Sequence, residues 1–105
     1  EKLRFVCLLN AAQCLLKLKR PAEAKIECDT VLKDDESNQR GYQRRSLAFL
    51  DLSQTSSARR DLEALVRLCA EGGEVQVSSK DVARLEMAVQ RAEAKQLAAD
   101  KNLYG

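Results

Sequence analysis

Asn10, Arg40 and Arg44 are the residues whose types and spacing best suit chemistry at a binding surface. Asn10 and Arg44 stand 34 residues apart, and Arg40 precedes Arg44 by four, one turn earlier on the same face of a helix. Arg offers planar, charge-assisted and bidentate hydrogen bonds to a carboxylate. Asn donates to one oxygen while still accepting from a peptide N–H. Two positive charges in the first turns of a helix oppose its macrodipole, at a cost of a few tenths to about 1 kcal/mol each when exposed. A bound carboxylate would offset that cost. The same residues also fit a solvated charged face, with Arg40 and Arg44 paired to Asp34, Asp35 or Glu36.

Catalytic chemistry finds little support in the chain. There is no His among the 105 residues, the candidate nucleophiles are Cys in apolar runs or Ser in turns, and no Gly-rich phosphate loop occurs. Cys7, Cys14, Cys28 and Cys69 match no zinc-ligand or CxxC spacing, so they are expected to be buried, reduced thiols packed as small hydrophobes. No catalytic residue, cofactor or metal is therefore assigned. The 18 basic and 16 acidic residues nearly cancel, which argues against a general polyanion binder such as a nucleic-acid protein. The most apolar window, Leu3 to Leu18, is broken by Arg4, Asn10, Gln13 and Lys17, so no membrane association is expected. The expected compartment is the cytoplasm, with the nucleus as a second.

These polar residues need helices to position them, and a 34-residue period supplies the register. Leu8 recurs as Tyr42, Ala12 as Ser46, Leu15 as Phe49, Ala24 as Ala58, Cys28 as Leu62, Val31 as Leu65 and Leu32 as Val66. That period is the signature of the tetratricopeptide helix-turn-helix repeat, in which stacked hairpins present a concave surface. The expected fold is all-α: a right-handed solenoid of such hairpins with a C-terminal capping helix. Residues 1–36 form one repeat, 37–70 the next, 71–79 a linker and 80–105 the capping helix.

The helices are predicted from about Lys2 to Leu18, from Pro21 to about Lys33, from a cap at Ser37 or Asn38 to about Leu52, and from about Ser57 to Cys69. A final helix is capped by Ser78 or Ser79. Ala24, Cys28, Val31 and Leu32 form the inner face of the second helix. Ala58, Leu62, Leu65, Val66 and Leu68 form that of the fourth, and Val82, Leu85, Val89, Ala92 and Leu103 that of the last. The first helix is apolar nearly all round. It calls for a neighbour on its upstream side, and alone it would tend to self-associate.

Leu9-Asn10-Ala11-Ala12-Gln13-Cys14-Leu15-Leu16-Lys17-Leu18, with Ala24 to Cys28, resembles the second tetratricopeptide repeat of the large immunophilins, the FKBP-type and cyclophilin-type co-chaperones. Asn38 to Arg45 resembles the opening of their third repeat, and Asp100 to Gly105 the end of their last helix. The resemblance covers nearly the whole chain apart from Glu71 to Ser79. It implies a carboxylate clamp, only partial in this chain, for the Glu-Glu-Val-Asp tail of heat-shock protein 90, or of the heat-shock protein 70 class. Asn10 would be the clamp Asn of the second repeat, Arg44 the clamp Arg of the third, and Arg40 would occupy a position usually held by Lys, keeping the charge with a different reach. The family's first repeat adds a Lys and an Asn, so an upstream repeat and a peptidyl-prolyl isomerase domain are expected in the whole protein. The leading expectation is thus a peptide-binding adaptor without enzymatic activity of its own. The alternative is a scaffold or oligomerisation module.

Overall fold

The computed structural model describes the backbone of residues 2–104 and the side chains of residues 2–101. Five helices follow one another: α1 (Lys2–Lys17), α2 (Pro21–Asp34), α3 (Gln39–Asp51), α4 (Thr55–Ala70) and α5 (Ser79–Tyr104). Each packs on the next in sequence; in addition α1 packs on α3 and α3 on α5, whereas α2 and α4 do not meet. A stack whose odd helices touch and whose even helices are splayed apart curves toward the odd layer. Hence α1, α3 and α5 line the inner side.

Local chemistry sets the helix ends. Pro21 occupies the first turn of α2, where its fixed φ suits the helix and no N–H is needed. Asn38 caps α3: its Oδ1 accepts from Gly41 N at 2.8 Å, while its Nδ2 donates to Asp35 Oδ2 at 3.2 Å. Ser78 Oγ accepts from Asp81 N at 3.1 Å and begins α5. The two intra-repeat turns are copies of each other. Lys19 and Ser53, one period apart, both take left-handed φ values, 61° and 60°. Arg20 N donates to Leu15 O and Gln54 N to Phe49 O, both at 2.8 Å, which closes the same C-terminal hydrogen-bonded loop in each hairpin. α4 consequently starts at Thr55, two residues before the predicted Ser57.

Small residues allow the helices to cross closely. Ala12, Ala24, Cys28 and Ala48 form one wholly buried cluster. Phe49, Ala58, Leu62, Leu65, Val77, Leu85 and Val89 form a second, which ties α3 and α4 to α5. Ser46, at the position equivalent to Ala12, is also fully buried, and its hydroxyl donates to Ala58 O at 2.9 Å. Gly41 has no room for more: a Cβ there would meet the Leu32 side chain at 2.9 Å.

Two expectations about burial are corrected. Val66 is 48% exposed and Leu68 only half-buried: the equivalent Leu32 is buried against Gly41 in the first turn of α3, whereas the residue one period after Gly41 is Val75, which lies outside any helix. Of the cysteines only Cys28 is buried. Cys7, Cys14 and Cys69 are exposed, since an apolar run in a helix includes residues on its outward face. Val82 and Ala92 are half-buried beside the buried Leu85 and Val89, and the Leu103 side chain lies outside the described residues.

Burial pushes the Cys28 thiol up to about 12. A thiol-disulfide reagent at pH 8 should therefore titrate three thiols quickly in the folded protein and the fourth only after denaturant is added. A raised folded-state pKa contributes stability that is complete below the unfolded thiol pKa, about 8.5. Urea midpoints should accordingly fall as pH rises from about 9 toward 12, and less so in Cys28→Ala. At the turn, Ser53→Val should lower stability by about 2 kcal/mol, because a β-branched residue resists the left-handed region. Ser53→Gly should match or exceed the parent in the same urea titration.

Candidate carboxylate-binding groove

The α1–α3 contact brings residues of equal register side by side. On α3, Arg44 is half-buried and reaches across to α1, its Nη2 donating to Gln13 Oε1 at 3.3 Å. Gln13 lies one turn after Asn10 on α1, and Asn10 is exposed. Arg40 is exposed one turn before Arg44. Burial lowers the Arg44 pKa, and the positive charge of Arg40 lowers it further, so the two guanidinium groups are close enough to repel.

The structure thus brings Arg40 and Arg44 together and links Arg44 to α1. It joins Asn10 to neither through a hydrogen bond. Among the described residues, neither Asn10 nor Arg40 makes a side-chain hydrogen bond or an ion pair. The pairing of Arg40 and Arg44 with Asp34, Asp35 or Glu36 is not formed. Asp34 is taken by Arg4 at 3.2 Å. Asp35 turns back to Ser37 N and Asn38 Nδ2. The Glu36 carboxylate is exposed and forms no ion pair among the described residues, while its main-chain O accepts from the Tyr42 hydroxyl at 2.9 Å.

Two other arginines are fully answered. Arg45, next to Arg44 but about 100° around the helix, forks onto Asp61 through Nε and Nη2, both at 2.8 Å. Its Nη1 donates to Asp29 Oδ1 at 3.1 Å. Its guanidinium also lies 5.7 Å from the Tyr42 ring centroid and 5.9 Å from that of Phe49. The Asp61 hydrogen bonds outweigh burial and raise the Arg45 pKa. Arg59 on α4 binds Glu93 through Nε and Nη2 and Glu86 through Nη1, holding the Glu93 carboxyl below its ordinary value.

Sequence reasoning missed Gln13, Arg45 and Arg59. Gln13 carries no periodic signal, since its equivalent one period later is Leu47. For Arg45 a signal existed: Asp61 falls between Ala58, Leu62 and Leu65 on the inner face of α4, where a carboxylate needs a cation.

Among the described residues no group of three potential metal ligands occurs, and no helix is long and apolar enough to cross a membrane.

No family model and no solved structure matches the chain. It is 33% identical over 103 residues to peptidyl-prolyl cis-trans isomerase FKBP4 of Mus musculus, which covers 97% of this chain and 21% of that protein. Identity to FKBP4 of Homo sapiens is 31% over 105 residues, 99% of this chain and 21% of the relative. Identity to FKBP42 of Arabidopsis thaliana rises to 47% over 55 residues, 52% of this chain and 15% of the relative. The chain spans about a fifth of the length of the FKBP4 relatives it matches. With five helices packed at a 34-residue register and this identity along nearly its whole length, the chain belongs to the large FKBP-type immunophilins, as a helical stretch of that family.

Proposed function

We propose that the chain is the peptide-binding adaptor of an immunophilin co-chaperone, and that Asn10, Arg40 and Arg44 receive the acidic Glu-Glu-Val-Asp tail of heat-shock protein 90. The observation that carries this reading is electrostatic. Arg40 and Arg44 repel one another on the inner layer of the stack, and no described carboxylate forms an ion pair with either, whereas Arg45 and Arg59 are each bonded to two. A partner's carboxylate removes the repulsion and satisfies both donors. Asn10, on the neighbouring helix and one turn before the Gln13 that holds Arg44, supplies a neutral donor and acceptor for the peptide backbone. In the same reading the protein works in the cytoplasm, and isomerase activity belongs to a separate domain of the whole protein.

Self-association is the second reading, favoured by Leu3 and Val6 of α1 and by Leu18 just after it, which are 77%, 52% and 65% exposed.

Titration of a fluorescent Glu-Glu-Val-Asp peptide tests the adaptor. A charge-assisted hydrogen bond contributes about 1.5–3 kcal/mol, so Arg44→Ala should weaken binding tenfold or more and flatten its dependence on salt. Unchanged affinity and salt slope would remove Arg44 from the site. Sedimentation of the unliganded protein addresses the second reading: a tight oligomer that refuses the peptide would replace the adaptor by a scaffold.

A further inference from the structure

Charge on α5 is sorted by face. At about 100° per residue, Lys80, Arg84, Arg91 and Lys95 fall within about 60° of arc, and all four are exposed. Glu86, Glu93 and Asp100 fall within about 40° of one another, on nearly the opposite side of the helix. Two sets of contacts fix that rotation. Leu85 and Val89 are buried in the core shared with α3 and α4. Arg59 of α4 draws in both glutamates, binding Glu93 through Nε and Nη2 and Glu86 through Nη1, and Asp100 lines a recess beside the same arginine. The near balance of acid and base along the chain is therefore an average from which the exposed face of α5 departs.

The basic line has no counterpart inside the molecule. α5 packs on α3 and α4, and no other described helix meets it. Among the described residues Lys80, Arg91 and Lys95 form no ion pair or side-chain hydrogen bond. Arg84 reaches Asp81 at 3.4 Å, but both side chains stay in contact with water, where such a pair contributes little.

Spacing and neighbours select the kind of anion. Successive bases rise by about 6, 10 and 6 Å along the helix, an uneven spacing that suits mobile headgroups better than a fixed row of carboxylates or phosphates. The face carries no aromatic ring on which a nucleic-acid base could stack. Among the bases stand Met87 and the small Ala83, Ala94 and Ala98, so little keeps a flat surface from reaching the line. A membrane span needs a long apolar run, which no described helix has; a contact at the membrane surface needs one basic face.

We propose that the exposed face of α5 is a contact for an anionic lipid surface, peripheral and reversible, made by Lys80, Arg84, Arg91 and Lys95 while the helix stays docked on α3 and α4. The inference is independent of the adaptor reading, whose arginines lie on α3.

Co-sedimentation with vesicles tests it. The protein should bind vesicles containing one-third phosphatidylserine, ignore pure phosphatidylcholine, and be released as salt rises from about 0.1 M to about 0.5 M. Each base near an anionic surface raises partitioning about fivefold, so Arg91→Gln/Lys95→Gln should bind about 25-fold more weakly. Lys80→Gln/Arg84→Gln should show a comparable loss, and Gln keeps helix propensity at all four exposed positions. Lys33→Gln/Arg67→Gln, which removes two exposed bases of α2 and α4, should leave vesicle binding unchanged and controls for net charge. Affinity for the Glu-Glu-Val-Asp peptide should be the same in Arg91→Gln/Lys95→Gln as in the parent, so the two surfaces fail separately. Absent binding to acidic vesicles, equal binding to neutral ones, or an equal loss in the α2/α4 control refutes the assignment. If acidic vesicles are ignored while a Glu-rich peptide or an oligonucleotide binds through Arg91 and Lys95, the face serves a protein or a nucleic acid and the lipid proposal is overturned.

Discussion

The backbones of α1, α2 and α3 meet across side chains no larger than a methyl at Ala12, Ala24 and Ala48, each of which leaves no accessible surface. Close crossing at those points fixes the depth at which α1 lies against α3, and with it which residues come level. Arg44 reaches Gln13 of α1, one turn past Asn10, and Arg40 shares a recess with Val6, because the register that the alanines enforce sets α1 against α3 there. A bulkier side chain in this cluster would force a shift of backbone, since interiors at crystal-like density have no slack. Ser46 shows how the constraint tolerates a polar residue. It occupies the position equivalent to Ala12 in the next hairpin, and its hydroxyl is accepted by Ala58 O, so burial leaves no donor unmade.

On that scaffold two pairs of arginines behave differently. Arg45 and Arg59 each hold two carboxylates and join helices: Arg45 links α3 to α2 and α4, and Arg59 links α4 to α5. Arg40 and Arg44 form no ion pair among the described residues, and they raise each other's electrostatic energy. Arg44 and Arg45 are adjacent in sequence yet belong to different pairs, because one step along a helix turns the side chain by about 100°. That rotation aims one guanidinium at Asp61 and Asp29 between the helices and the other at Gln13 on the inner layer. Like charges four residues apart on a helix cost a few tenths of a kcal/mol. An opposite charge placed between them reverses the sign.

Much of this was legible because helices are read by period. The 34-residue recurrence gave α1 to α4, and capping and apolar spacing gave α5, all to within about two residues at their ends; the recurrence also placed Ala24, Ala58, Cys28, Leu62, Val31 and Leu65 on buried faces. The period itself misled at Val66, whose equivalent Leu32 is buried while Val66 is not, and composition misled at Cys7 and Cys14, which share the outward face of an apolar helix. The turns at Lys19 and Ser53 were placed, but their left-handed conformation was obscure for another reason. A left-handed residue at a helix end is usually Gly, and a Lys or Ser in that role carries no signature of its own. Gln13 and Gln39 were invisible for a third reason: each acts on a partner far along the chain, Arg44 and residues 74–77 respectively.

The first turn of α3 shows why fold and site are hard to separate here. Four successive residues point in four directions and do four things. Asn38 caps the helix, Gln39 turns inward to hold the segment from Glu74 to Val77, Arg40 faces the groove, and Gly41 lets the turn approach Leu32. The backbone that carries Arg40 is therefore fixed from three sides before any ligand arrives. Arg44, one turn on, is fixed at its far end by Gln13. Of the two, only Arg44 has its guanidinium held in this way, so it would lose less conformational entropy to a ligand than a mobile surface arginine, whereas at Arg40 only the backbone is fixed. The segment that appeared in the sequence as a spacer, residues 71–79, is thus part of what holds the groove in shape: Val77 is anchored in the core and Gln39 is clasped at its base, so the position of Arg40 is set by contacts from both sides of the stack.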